Sequence, residues 1–226
     1  NGLNVEAQLK VINEGGSLST GTNGGNPAIT VSGADAVTLI FACGTDYKME
    51  LPNFRGEDPH KAVTARIDAA AKKGYEALKA DHIADHSALF SRVELGFDEE
   101  IPQIPTDELI KKYRNMIENN GGDIPTSAEQ RALEIMCYQF GRYLTIAGSR
   151  DGALPTNLQG VWGEGWFTWY GDYHFNINVQ MNYWPTMASN LSECMKPYND
   201  LLNVLKQAGR NAAAASFGIK SNPGEE

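Results

Sequence analysis

Leu154 to Pro185 reads LPTNLQGVWGEGWFTWYGDYHFNINVQMNYWP, and the fold is read outward from it. All four tryptophans of the chain, Trp162, Trp166, Trp169 and Trp184, fall inside this stretch. Asp172, His174, Asn176, Asn178, Gln180 and Asn182 place a polar side chain at every second position, the period of an extended segment. Helical sequence flanks the stretch on both sides. Aromatic faces stack on sugar C–H surfaces, while amides and imidazole read hydroxyl groups, so the composition points to polyol recognition. The alternative is an aromatic-rich connection whose polar atoms cap neighbouring helices.

Just upstream, Ser127 to Ser149 is the clearest helix in the sequence. Leu133, Met136, Cys137, Phe140, Leu144 and Ala147 form one apolar stripe, which predicts a buried Cys137 thiol. Thr126 or Ser127 suits the N-cap, with Glu129 near the capping-box position. Arg142 and Arg150 are expected at the surface or on helix C-termini rather than in an active site. Thr106 to Asn119 reads as an earlier helix, opening on TDE as its cap and first acidic turn, and ending at Asn120-Gly121-Gly122. Downstream, a helix starting near Asn182 or Leu191 runs on to Leu205 and Ala215. Long helices joined by an aromatic loop indicate an α/α arrangement, cut short.

The N-terminal third reads differently. Val5 to Val11, Ala28 to Val31 and Ala36 to Ala42 have strand patterns, the last apolar enough to be buried on both faces. Turn clusters at Glu14-Gly15-Gly16 and Gly21 to Pro27 separate them. Three such strands are too few to stand alone and predict the end of a larger sandwich. At Asp58-Pro59 the composition turns helical, with Asp58 as an N-cap, a helix to Lys73, a break at Gly74 and a second helix from Tyr75 to Phe90. Arg92 to Phe97 then alternates like one short strand. His82 and His86 are four apart on the second helix. Without an HExxH glutamate or a third ligand they read as a solvated face, and no metal is assigned.

Composition bounds the function. The 226 residues, 42% hydrophobic and 21% charged, are those of an ordinary globular protein with ample core. A net charge of -9 argues against nucleic acid or anionic membrane as partner, because both require a basic face. Cys43, Cys137 and Cys194 are scattered and odd in number, so neither a disulfide framework nor a zinc spacing is expected. No apolar run approaches the ~20 residues of a membrane span. The start at Asn1, without Met, and the turn-rich end SFGIKSNPGEE suggest an excised piece; a removed signal peptide would leave such a start, and so would cutting a domain from a longer protein.

LPTNLQGVW, then DYHFNINVQMNYWP, then NLSEC closely resembles the signature stretch of glycoside hydrolase family 95, the inverting α-L-fucosidases. HIADHSALFSRVELGF is similar to that family's linker motif, YQFGRYLTIAGSR to its first long barrel helix, and PTDELIKKYR to the acidic segment between them. The resemblance implies an α+β chain: the last strands of a β-sandwich over 1–56, a helical linker over 57–100, and the first part of an (α/α)6 barrel over 101–226. It implies hydrolysis of terminal α-L-fucosyl bonds with inversion, typically α-1,2-linked, on a fucosylated glycan, without cofactor, outside the cytoplasm (extracellular or periplasmic).

The family's HxNxN motif falls on His174, Asn176 and Asn178. The resemblance implies that Asn176 and Asn178 position and activate the water and that His174 hydrogen-bonds the sugar. An amide is a poor base, so a carboxylate must accept the proton through it. The family's general-acid Glu and assisting Asp lie further along than residue 226, so neither role is given to Glu164 or Asp172. Two-residue spacing on an extended segment would set His174, Asn176 and Asn178 on one pocket wall. The segment GEGWFTWYG is shorter than in the family, which leaves fucose against galactose open. Other readings are a non-catalytic fragment with a sugar-binding surface, an α-L-galactosidase, or another glycan enzyme on the same barrel.

Overall fold

A computed structural model describes residues 2–96, 102–123, 126–163 and 168–219; Glu164, Trp166, Phe97 and the closing acidic residues lie outside them. The chain is a mixed α/β protein with short antiparallel sheets and six α-helices among the described residues. It divides into two compact units, residues 1–85 and 86–226, the division falling inside one helix.

In the first unit, β1 (Val5–Glu14) pairs antiparallel with β4 (Ala36–Thr45), and β2 (Ser17–Asn23) with β3 (Asn26–Ser32). The sequence predicts three strands, and β2 is the one it hides. SLSTGTN has no apolar alternation, and its glycine and threonines belong to a strand only through pairing with β3. The turn between them shrinks to Gly24-Gly25, both at positive φ (56° and 83°), as a tight two-residue hairpin requires.

Helix α1 (His60–Lys73) lies on one face of the β1–β4 ladder. Gln8 Nε2 donates to Thr64 Oγ1 at 2.8 Å, and Lys10 Nζ pairs with Asp68 at 2.9 Å. Gly44 makes the close approach possible, since a Cβ there would stand 2.9 Å from Val63 Cγ2. Pro59 rather than Asp58 holds the N-cap position, and the Asp58 carboxylate accepts from the His60 N–H at 2.9 Å from one residue further out. The opposite face of the ladder carries Leu39 and Phe41, 64% and 65% exposed. β4 is therefore covered on one face only among the described residues, against the expectation of burial on both.

Helix α2 (Tyr75–Phe90) runs as expected, but Arg92 to Gly96 form no strand. Two of the carbonyls there, or just before, serve another purpose. Phe90 and Val93 C=O accept from the Arg142 guanidinium at 2.8 and 3.2 Å.

The second unit packs α3 (Thr106–Asn119), α4 (Ala128–Gly148), α5 (Asn178–Ala188) and α6 (Lys196–Phe217). Asp107 and Glu108 occupy the first turn of α3, though no side chain caps it. Ser127 Oγ caps α4 by accepting from Gln130 N at 3.2 Å. The closing helix expected from the sequence is two helices, α5 and α6, parted by a 3-10 turn at Ser192–Met195. Leu89, Ile146, Leu191 and Cys194 form a buried cluster, and burial pushes the Cys194 thiol pKa up.

Cys137 is exposed rather than buried. α4 turns Ala132, Arg142, Ile146 and Gly148 inward, so Met136, Cys137 and Phe140 lie on a flank that the described residues leave open. Arg142 is the larger surprise. The surface half of its expectation fails and the helix-C-terminus half holds: it is 2% exposed and donates to Leu89, Phe90, Val93 and Ser189 carbonyls. It closes the C-terminus of α2, whose last carbonyls have no partner in their own helix.

Candidate active site

Asn157 is the joint from which the site is built. Its backbone exchanges two hydrogen bonds with Gly160, making a tight turn of the NLQG segment. Its side chain receives Gln159 N on Oδ1 at 3.0 Å and donates from Nδ2 to Gly171 C=O at 2.9 Å. Asn182 on α5 donates to the Asn157 carbonyl. One asparagine thus ties the loop before the aromatic stretch to the turn and helix after it.

Tyr183 supplies the second tie. Its hydroxyl accepts the Thr156 N–H at 2.9 Å and lies 2.8 Å from Ser149 Oγ, which donates to Cys194 C=O at 2.8 Å. Because every one of these groups is buried, each bond replaces a lost water contact and holds its element in place. Tyr173 adds a bond from its hydroxyl to Pro155 C=O at 2.9 Å.

Against this frame Leu158, Gln159, Trp169, His174, Asn176 and Asn178 line one cleft of about 520 Å³. The three residues singled out by the sequence do share a wall, but not by the route expected. An extended run is absent. Phe175 to Ile177 form a turn, and Asn178 is the first residue of α5. The turn closes with Val179 N–H bonded to His174 C=O at 3.1 Å, and Gln180 Nε2 bonded to Phe175 C=O at 2.8 Å. It brings His174, Asn176 and Asn178 together while directing Gln180 and Asn182 to structural bonds, so the period-two row is not one face.

His174 sits between two groups. Asp172 Oδ1 is 3.3 Å from Nδ1, and the Trp169 indole meets the imidazole at 4.9 Å between centroids and an angle of 88°. An aspartate on Nδ1 favours the tautomer with N–H there and leaves Nε2 as an acceptor for a hydroxyl. Nε2 is buried and has no hydrogen-bond partner among the described residues. Among the described residues no carboxylate lines the cleft itself; Asp172 meets it only through His174.

The tryptophans part ways. Trp169 lines this cleft, whereas Trp162 lines a separate apolar cavity beside α4 with Cys137, Tyr138 and Met181. Trp184 is exposed and lines neither cavity. His86 stacks on Phe90 and meets Tyr143 at a tilt of 57°, and no three His, Cys, Asp or Glu side chains group as metal ligands among the described residues. No described helix is long and apolar enough to cross a membrane. Sequence reasoning missed Asn157, Asn182 and Tyr183 as the residues that hold the wall. The only signal was that they lie inside the aromatic stretch.

Comparison with known proteins places the chain in a family. The glycosyl hydrolase family 95 catalytic domain matches residues 74–223. Probable alpha-fucosidase A of Aspergillus niger is 34% identical over 205 residues, 87% of this chain and 24% of that protein. Alpha-L-fucosidase 2 of Arabidopsis thaliana is 32% identical over 221 residues, 96% of this chain and 25% of that protein. Probable alpha-fucosidase A of Aspergillus oryzae is 34% identical over 176 residues. The chain thus spans about a quarter of the length of the curated relatives it matches. Because that catalytic-domain match covers more than half of the chain, the cleft residues included, the chain belongs to glycoside hydrolase family 95.

Proposed function

We propose that this chain carries the sugar-binding and water-positioning wall of an inverting α-L-fucosidase acting on terminal, α-1,2-linked fucose of glycans. The observation that carries the reading is the convergence of His174, Asn176 and Asn178, with Trp169, on one cleft. The names of the relatives, alpha-fucosidases of two fungi and a plant, point the same way.

Inversion needs a base on one face of the anomeric carbon and an acid on the leaving oxygen. In the proposed arrangement the Asn176 and Asn178 amide oxygens accept hydrogen bonds from the attacking water and align it, while His174 Nε2 accepts from a sugar hydroxyl. Amides do not hold the proton that the water loses, so a carboxylate must receive it, and a second must protonate the aglycone oxygen. Both are assigned to the part of the longer protein that follows these residues. On this reading residues 1–56 close a β-sandwich, 57–100 link it, and 101–226 begin an (α/α)6 barrel. The enzyme would work outside the cytoplasm on extracellular or periplasmic glycans, without a cofactor.

The test is hydrolysis of 2'-fucosyllactose by the full-length protein and its Asn178→Gly variant, with the product anomer followed by proton NMR. Expected are β-L-fucose as first product and a loss in kcat of about 10²–10³ in the variant, the usual cost of removing one aligned polar group. Full activity in the variant removes Asn178 from the mechanism. Turnover of α-L-galactosides in place of fucosides moves the reading to the second substrate.

A further inference from the structure

Of the three described tryptophans, one is held in an unusual backbone. Trp169 and Tyr170 both adopt left-handed dihedrals, φ 64° and ψ 17°, then φ 56° and ψ 18°, and Gly171 continues at φ 68°. Consecutive non-glycine residues in this region are disfavoured, and such strain collects where a side chain must be aimed. The turn is retained by Asp172 N–H on Trp169 C=O at 3.1 Å and by Asn157 Nδ2 on Gly171 C=O at 2.9 Å. The same Asn157 organises the loop that supplies Leu158 and Gln159 to the cleft.

The strained turn delivers the indole to the cleft wall, edge to face with His174. It is not buried for packing: Trp169 is 60% exposed. A large apolar plane left in water beside a hydroxyl-reading imidazole and two amides is complementary to a pyranose, which has an apolar C–H face and a polar rim. A 6-deoxy sugar extends that face by a methyl group.

We infer that Trp169 is the sugar-stacking platform of the cleft, contacting the C–H face of a 6-deoxyhexose and fixing the His174 ring by its edge. This rests on the proposed fucosidase reading and narrows it, since Trp162 and Trp184 are given no such role. Loss of the plane removes binding to both ground and transition state, so it raises KM more than it lowers kcat. It also lets His174 rotate, which weakens the reading of its hydroxyl.

The experiment uses the full-length protein with Trp169→Asn and Trp169→Phe. Asparagine tolerates the left-handed backbone and removes the ring, so the deletion does not add strain. Phenylalanine keeps an aromatic face. L-fucose binding is measured by calorimetry in the Asn178→Gly background, and KM and kcat for 2'-fucosyllactose are measured with Asn178 intact. Expected are a Kd and a KM raised about tenfold or more by Trp169→Asn, most of it regained by Trp169→Phe. A Kd within twofold of the parent in Trp169→Asn overturns the platform, as does a Trp169→Phe variant no better than Trp169→Asn. If the parent binds L-fucose through Trp169 yet hydrolyses no fucoside, the hydrolase reading fails and the platform stands.

Discussion

The Tyr183 hydroxyl is the residue on which the geometry of the cleft most depends without touching it. It satisfies the Thr156 N–H and meets Ser149 Oγ, and it is 4% exposed, so its removal leaves two buried polar groups short of a partner. Tyr183→Phe is expected to cost about 1–3 kcal/mol of stability, read as a lower denaturant midpoint, with no cavity to blame since the ring remains. It should also lower kcat more than it raises KM, because the Leu158–Gln159 wall shifts against Asn178. At this scale the sequence was informative about identity and blind to role. His174, Asn176 and Asn178 were legible because imidazole and amides recurred in an aromatic stretch that resembled a known signature. Asn157 and Tyr183 were not, because an asparagine that ties backbone and a tyrosine that stacks on Tyr198 have no period of their own. Cys137 was misplaced for the opposite reason: an apolar stripe shows that a helix face avoids water, not which neighbour covers it.

At the scale of elements, α4 is the post on which the second unit is assembled. Its inward face meets the end of α2 through Arg142, and its first turn meets α3 through Glu129 and Lys112 at 2.5 Å. Arg142→Met is expected to destabilise by about 3 kcal/mol or more, since four carbonyls lose their donor together. Arg142→Lys should recover only part, as one ammonium cannot reach the same fan of acceptors. Thermal melts of the two variants beside the parent check the order. The Glu129 carboxyl is held below its usual pKa first by the Lys112 hydrogen bond and then by its own backbone N–H. A depressed carboxylate contributes in full above its unfolded pKa of about 4.3, and that contribution is lost as pH falls through the lower folded value. The Tm of the parent should therefore drop more steeply between about pH 5 and 3 than that of Lys112→Met, and a parallel fall in both would contradict the link. The helices themselves were legible from caps and apolar spacing. The start of α5 at Asn178 was not, because NINVQMN alternates polar and apolar like a strand while its backbone is committed to a turn and then a helix by the Val179 bond to His174.

Taken over the whole molecule, the least satisfied surfaces are apolar. On the ladder of β1 and β4, the face away from α1 presents Leu9, Phe41, Val11 and Leu39 as cross-strand neighbours. In the second unit Phe140, Trp184 and Met187 are exposed in their turn. Apolar neighbours left in water, as on the ladder, are rare on a monomer and mark a surface meant to be covered. Leu9, Val11 and Leu39 share a shallow groove with Ile29 and Val31 of β3; on the proposed reading of residues 1–56 as the end of a β-sandwich, the longer protein would cover the rest of this face, and the chain spans about a quarter of its relatives. The 226-residue chain alone is thus expected to self-associate and to bind a hydrophobic dye, while the full-length protein does neither. Sedimentation of both at several concentrations decides it. Leu39→Thr with Phe41→Thr, which keeps strand propensity and removes the grease, should reduce dye binding by the short chain and destabilise the full-length protein by several kcal/mol, in proportion to the apolar area it had buried. A full-length protein indifferent to the double substitution would show that this face stays in water, and the open-sandwich reading of the first unit would fall with it.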